Sequence, residues 1–161
     1  MNLPEKLSTL AREELYNYKG VLSCLRLSVL ALEKGHDKPD ENLDNTRQNY
    51  MDSVDKAHRE YLSALDGVGN AQLRSALLMK SPGMSVEFPE YAEVFGLLEE
   101  IRGTVDKLSE RNGRALELTS RMMRECRENI KAVKKRKALV SVYEPVPGSN
   151  SGSLLNFSEN R

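Results

Sequence analysis

From Tyr91 to Val133 the sequence repeats with the spacing of a packed helix, and this repeat constrains the fold more than any other feature. Tyr91, Val94, Leu98, Ile101, Val105, Leu108, Asn112, Ala115, Thr119, Met122, Cys126, Asn129 and Val133 follow one another at alternating steps of 3 and 4. That is the heptad period of a helix whose apolar stripe packs against other helices. Because the period is about 3.5 rather than 3.6 residues per turn, a partner following the stripe should wrap it with a left-handed supercoil. Beyond Val133 the register lapses, since Arg136 and Val140 take the next positions within a run of lysines. One long helix over residues 89–141 is predicted, with an end that need not be covered.

Two further helices precede it. Ala11, Leu15, Tyr18, Leu22, Leu25, Val29 and Leu32 repeat the same spacing, and Leu10, Val21, Leu27 and Leu30 widen the apolar face enough for more than one neighbour. This predicts a helix over residues 4–34, opening at Pro4, whose missing N–H is harmless in a first turn. Gly20 lies inside it, at roughly 1 kcal/mol of lost helix propensity against alanine. Gly35 marks its end, and Pro39 with Asp40 marks the start of the next helix. Leu43, Tyr50, Val54, Ala57, Tyr61, Ala64 and Val68 carry that second helix over residues 40–80, with a kink or register shift expected at Gly67 and Gly69. Ser81-Pro82-Gly83 breaks it before Pro89 opens the third, with Phe88 placed to staple the entry. At 1.5 Å per residue the third helix would run roughly 80 Å against roughly 45 Å for the first. The expected fold is therefore all-α: an elongated, antiparallel, coiled-coil-like three-helix bundle over residues 1–142, whose long C-terminal helix leads into a flexible tail over residues 143–161. The Pro-, Gly- and Ser-rich composition of residues 144–153 supports that tail, which ends in the apolar cluster Leu154, Leu155 and Phe157.

Composition fits this class and narrows the function. The chain has 161 residues, 39% hydrophobic and 30% charged, no tryptophan, and 24 basic residues against 24 acidic ones. That is one domain of aliphatic helices with solvated faces, without the basic excess that gathers a nucleic-acid backbone. Glutamates cluster where the long helix begins and lysines where it ends, which complements the helix macrodipole. No apolar run approaches the ~18 residues of a membrane span, and no signal-peptide pattern opens the chain. A cytoplasmic protein without stable membrane insertion is expected.

Catalysis finds few candidates. His36 and His58 each follow a carboxylate by three positions, but the turn near Pro39 places them roughly 27 Å apart along helix two, too far for one metal. Phosphate-binding loops, nucleophile elbows and paired metal-ligand cysteines are absent from the sequence. Cys24 and Cys126 read as small, inert side chains. The expectation is a non-enzyme without cofactor or metal. Asn112 and Asn129 interrupt the long stripe; a buried asparagine at such a position fixes register, and Asn112 is assigned that structural role, with partner contact as the alternative. The cations from Lys131 to Lys137 complement the helix dipole or meet an acidic surface, and the cluster Leu154, Leu155 and Phe157 points to docking on this chain or on a partner.

Three long helices, the Asn112-Gly113-Arg114 element followed by Ala115-Leu116-Glu117-Leu118, and Tyr143 with Gly148 in the tail together resemble the FlgN family of flagellar export chaperones. The resemblance implies a cytoplasmic, non-enzymatic chaperone that binds hook-filament junction proteins and delivers them to the flagellar type III export gate. It implies a cargo surface on Ile130, Val133, Leu139, Val140 and Val142, closed by Leu154, Leu155 and Phe157, and an export-gate contact at Tyr143. The Lys-rich run before Tyr143 and the Gly67/Gly69 interruption depart from the simplest family pattern. The competing reading is a coiled-coil structural or adaptor protein that pairs with itself as a weak homo-oligomer.

Overall fold

The computed structural model describes residues 1–36, 38, 40–79 and 84–143. The elements are α1 (Leu3–Glu33), α2 (Glu41–Leu65), α3 (Ala71–Met79), a 3-10 turn at Pro89–Tyr91, and α4 (Ala92–Tyr143). No strand occurs among the described residues, and the chain is all-α. It divides into two compact units, Met1–Ser120 and Arg121–Arg161. The division falls inside α4. Leu154, Leu155 and Phe157 lie outside the described residues.

Local signals account for the helix ends in the first unit. Asn2 and Glu5 form a reciprocal capping box: Asn2 Oδ1 accepts from the Glu5 amide at 2.9 Å, and Glu5 Oε2 accepts from the Asn2 amide at 3.1 Å. At the other end the Gly35 amide donates to the Leu32 carbonyl and the His36 amide to the Ala31 carbonyl, with Gly35 at φ +78°. This Schellman closure requires the left-handed conformation that glycine adopts without a Cβ penalty. Asp40 then caps α2 by accepting from the Asn42 and Leu43 amides.

The expected second helix is two helices. α2 ends at Leu65, and α3 starts only at Ala71. Gly67 and Gly69 are poor helix formers, and the Asn70 side chain accepts from the Leu73 amide at 3.0 Å, which starts a new helix rather than continuing the old one. Arg74 pairs with Asp66 across the break. The change of direction brings Leu73, Ala76 and Leu77 into one core cluster with Leu7, Ala11, Tyr61, Leu65, Val94, Leu98 and Ile101. Phe88 and Met84 pack on its edge.

Pairwise contacts give the helix directions in this unit. Leu3 lies near Gly67, Glu14 near His58, and Gly20 near Tyr50, so α1 and α2 run antiparallel. Arg12 pairs with Glu93, Lys19 with Glu100 at 3.4 Å, and Glu33 with Arg114 at 3.6 Å. The constant offset of 81 residues makes α1 and the first part of α4 parallel, with whole heptads between rungs. The intervening register position holds Arg26 and Lys107, two like charges.

Burial within the predicted stripes corrects them in several places. Leu27 and Leu30 of α1 are exposed, because α2 and α4 cover less of α1 than its apolar face offers. In α4, Val94, Leu98 and Ile101 are buried as expected, but Val105, Asn112 and Thr119 are exposed, while Thr104 and Leu118 are buried. Thr104 and Leu118 each lie one residue before an expected stripe position, whereas Arg111 and Asn112 are both exposed. Leu118 removes more apolar surface from water than Thr119 would, and Asn112 keeps its amide hydrated. Asn112 therefore lacks the buried surroundings on which its assigned register role depended, and the 81-residue ion-pair ladder marks the register of α1 against α4 instead.

Candidate functional site

In the second unit, every described residue from Arg121 to Tyr143 is exposed except Met122, which is half-buried. Ile130 is 55% exposed, Val133 51% and Val140 53%, whereas Ile101 in the first unit is fully buried. Met123, Cys126, Ile130, Val133, Lys137 and Val140 follow one another at steps of 3, 4, 3, 4 and 3, so they form one narrow stripe along the helix. Val133, Lys137 and Val140 line a shallow hollow with Arg136 and Ser141.

The expected contact residues separate on this helix. Ile130, Val133 and Val140 belong to the stripe, whereas Leu139 and Val142 stand about 100° and about 200° around the helix from Val140. Both are exposed, but they cannot share a flat contact with the stripe. Tyr143 is 83% exposed and sits at the stripe's margin. Met123, Cys126 and Lys137 share the stripe although the sequence reading did not assign them to the contact surface. The 3 and 4 spacing that runs through Met123, Cys126, Ile130 and Val133 was the available signal; it shares Cys126 and Val133 with the stripe followed from Tyr91 and takes Met123 and Ile130 in place of Met122 and Asn129. Cys126 is exposed, unlike the buried Cys24.

Electrostatics divide with the units. Residues 1–120 hold 15 basic and 20 acidic residues, and residues 121–161 hold 9 and 4. Between Arg121 and Tyr143 the sequence holds eight lysines and arginines and two acidic residues, Glu125 and Glu128. Lys131 pairs with Glu128 at 3.1 Å. The stripe is bordered by Arg127 and Lys134 on one side and Arg136 on the other.

The first unit contains two other polar sites. Glu14 is buried on α1 with His58 Nδ1 at 3.4 Å. Burial, and then the Glu14 carboxylate, hold the Tyr61 phenol protonated well above its ordinary range, and Tyr18 is raised by burial, then by Glu14 and Asp55. Tyr61 Oη donates to the Leu77 carbonyl at 3.5 Å, tying α2 to α3. His36 lines a separate cavity of about 310 Å³ with Leu25, Leu43, Arg47 and Asn112. The two histidines therefore do not converge. Among the described residues, no three His, Cys, Asp or Glu side chains are grouped to hold a metal ion, and no described helix is long and apolar enough to cross a membrane. No protein-family model, curated protein or solved structure matches the chain.

Proposed function

We propose that the protein is a cytoplasmic, non-enzymatic export chaperone of the FlgN kind, whose C-terminal helix binds the helical ends of hook-filament junction proteins and presents them to the flagellar type III export gate. The carrying observation is the exposed stripe through Ile130, Val133 and Val140 on a cationic helix. A helix-in-groove or helix-on-helix contact needs apolar anchors at that spacing and no reactive group. The resemblance through Asn112-Gly113-Arg114 and Tyr143 supplies the cargo class and the export-gate role of Tyr143. In this reading α1, α2 and the first part of α4 form an antiparallel three-helix scaffold, with α3 folded back against α2, and Leu154, Leu155 and Phe157 close over bound cargo. Leu139 and Val142 contact either the tail or a second surface of the cargo, since they lie off the stripe.

Capture of candidate junction proteins by the tagged full chain and by its I130E/V133E variant tests this. The wild type is expected to retain the junction protein through washing and the double variant to lose it, with helicity unchanged in circular dichroism. Equal capture by both chains would remove the stripe from the cargo site. Tyr143→Ala should leave capture intact and reduce delivery to the export gate.

The self-associating reading finds one favourable observation, the same exposed stripe. Its borders weigh against it, since a second copy would set Arg127, Lys134 and Arg136 beside like charges.

A further inference from the structure

The stripe is apolar at Met123, Cys126, Ile130, Val133 and Val140, and charged at one position, Lys137. A narrow seam of this kind normally takes an apolar residue at each step, and a single polar residue within it sets register and partner choice at some loss of affinity. Lys137 is exposed and has no ion-pair partner among the described residues. When a second helix covers the seam, the lysine stem can lie along its apolar surface, but the ammonium needs an acceptor once water is displaced. We propose that the stripe receives an amphipathic helix with acidic borders that places one carboxylate opposite Lys137, and that Lys137 is the specificity-determining residue of the contact. This rests on the reading of the stripe as a binding surface and adds the chemistry of what it binds.

Charge complementarity selects this occupant. The borders of the stripe carry Arg127, Lys134 and Arg136, in a segment where basic residues outnumber acidic ones eight to two. A helix with glutamates or aspartates flanking its apolar seam meets these borders favourably in either direction, and the interfacial charges suppress wrong partners more than they add affinity. A second copy of this chain fails the same criterion. In parallel register it places Lys137 opposite Lys137, and in antiparallel register it sets basic borders against basic borders. An anionic lipid surface would satisfy the cations, but helices that lie in a membrane interface present a broad apolar face of bulky residues such as Trp, Phe and Leu. This stripe is two positions wide and interrupted by an ammonium group.

The test uses the full chain and synthetic three-heptad helical peptides with an apolar seam, glutamates at both borders, and Glu, Leu or Lys at one central seam position. Binding is measured by fluorescence anisotropy. The wild-type chain is expected to bind the seam-Glu peptide about tenfold more tightly than the seam-Leu peptide, and the seam-Lys peptide weakest. Lys137→Glu should reverse the order of the Glu and Lys peptides, and Lys137→Leu should make the seam-Leu peptide the tightest. Lys137 is on the surface, so these variants keep the fold, and circular dichroism checks that they do. Equal binding of the three peptides by the wild type, with all binding lost in I130E/V133E, overturns the role of Lys137 and leaves the stripe as a binding surface. Undiminished peptide binding by I130E/V133E overturns both. Tighter binding to vesicles containing phosphatidylserine than to any peptide, or a dimer mass for the chain alone, overturns the acidic helix as occupant.

Discussion

In the first half of α4, Val94, Leu98 and Ile101 are buried in the core cluster; in the second half, Ile130, Val133 and Val140 keep about half of their surface in water at the same helical spacing. The two halves share secondary structure and periodicity. They differ in what meets the apolar side: α1, α2 and α3 supply Leu7, Ala11, Leu65 and Leu77 around the first half. Spacing reports that a helix has a side worth burying. Burial itself depends on the elements brought against that side, and charge follows the same division, with acidic residues in excess before Arg121 and basic residues in excess after it.

The contrast can be broken most severely by truncating matched residues. Leu98→Ala or Ile101→Ala empties a fully enclosed site and should destabilise the protein by about 2–5 kcal/mol, whereas Ile130→Ala or Val133→Ala should fall within about 0.5 kcal/mol. Urea unfolding followed by circular dichroism measures both. Similar losses in the two halves would mean that the second half is also packed.

Glycines offer a smaller version of the same comparison. A Cβ on Gly20 would lie 2.6 Å from the Tyr50 ring, so Gly20→Ala should force the ring aside and destabilise the protein by about 1–3 kcal/mol. Gly103 on the exposed side of α4 meets nothing within 4 Å, and Gly103→Ala should instead stabilise by about 0.4–1 kcal/mol. Thermal melts of the pair should move in opposite directions.

Alkaline titration acts on the first unit through Tyr18 and Tyr61, whose phenols are raised above the ordinary value of 10.0 chiefly by burial. A raised folded-state value means that the unfolded chain loses the proton first, so the stabilisation is complete below pH 10 and is lost as pH rises above it. Each such group contributes a slope of up to about 1.4 kcal/mol per pH unit. Tyr61→Phe should flatten the fall in stability above pH 10 in urea titrations. An unchanged slope would mean that Tyr61 stays protonated to the same extent when unfolded.

The smallest effect belongs to the ion-pair ladder. Arg114, half-exposed beside Glu33 and Glu117, should contribute less than about 1 kcal/mol, and Arg114→Ala should matter least at high salt. A double-mutant cycle with Glu33→Ala isolates the α1–α4 rung.

Much of the fold was legible because its signals are local. Gly35 and Asp40 mark ends that hydrogen bonding confirms, and the start near Pro4 was missed by one residue because Asn2 and Glu5 were not read as a capping box. The break between α2 and α3 was readable in Asn70, a capping residue directly before an apolar helix, yet Gly67 and Gly69 alone suggested only a kink. The exposure of Asn112 and the burial of Leu118 in place of Thr119 were not readable, because a period of 3 and 4 leaves the rotation of the helix open and neighbouring helices decide it. The parallel ladder has the same character: Arg12, Lys19 and Glu33 acquire meaning only when Glu93, Glu100 and Arg114 are set beside them. At the candidate site, Ile130, Val133, Leu139, Val140 and Val142 came together from the resemblance, and only the first, second and fourth share a helical stripe. Helical geometry sets Leu139 and Val142 off that stripe.

Amide hydrogen exchange along α4 in the free full-length protein tests the division most directly. Amides around Val94 to Ile101 should exchange only through near-global unfolding, and those around Ile130 to Val140 should exchange orders of magnitude faster through local opening. Uniform slow exchange through Tyr143 would show that the second half is already packed, and would contradict its reading as an open binding surface.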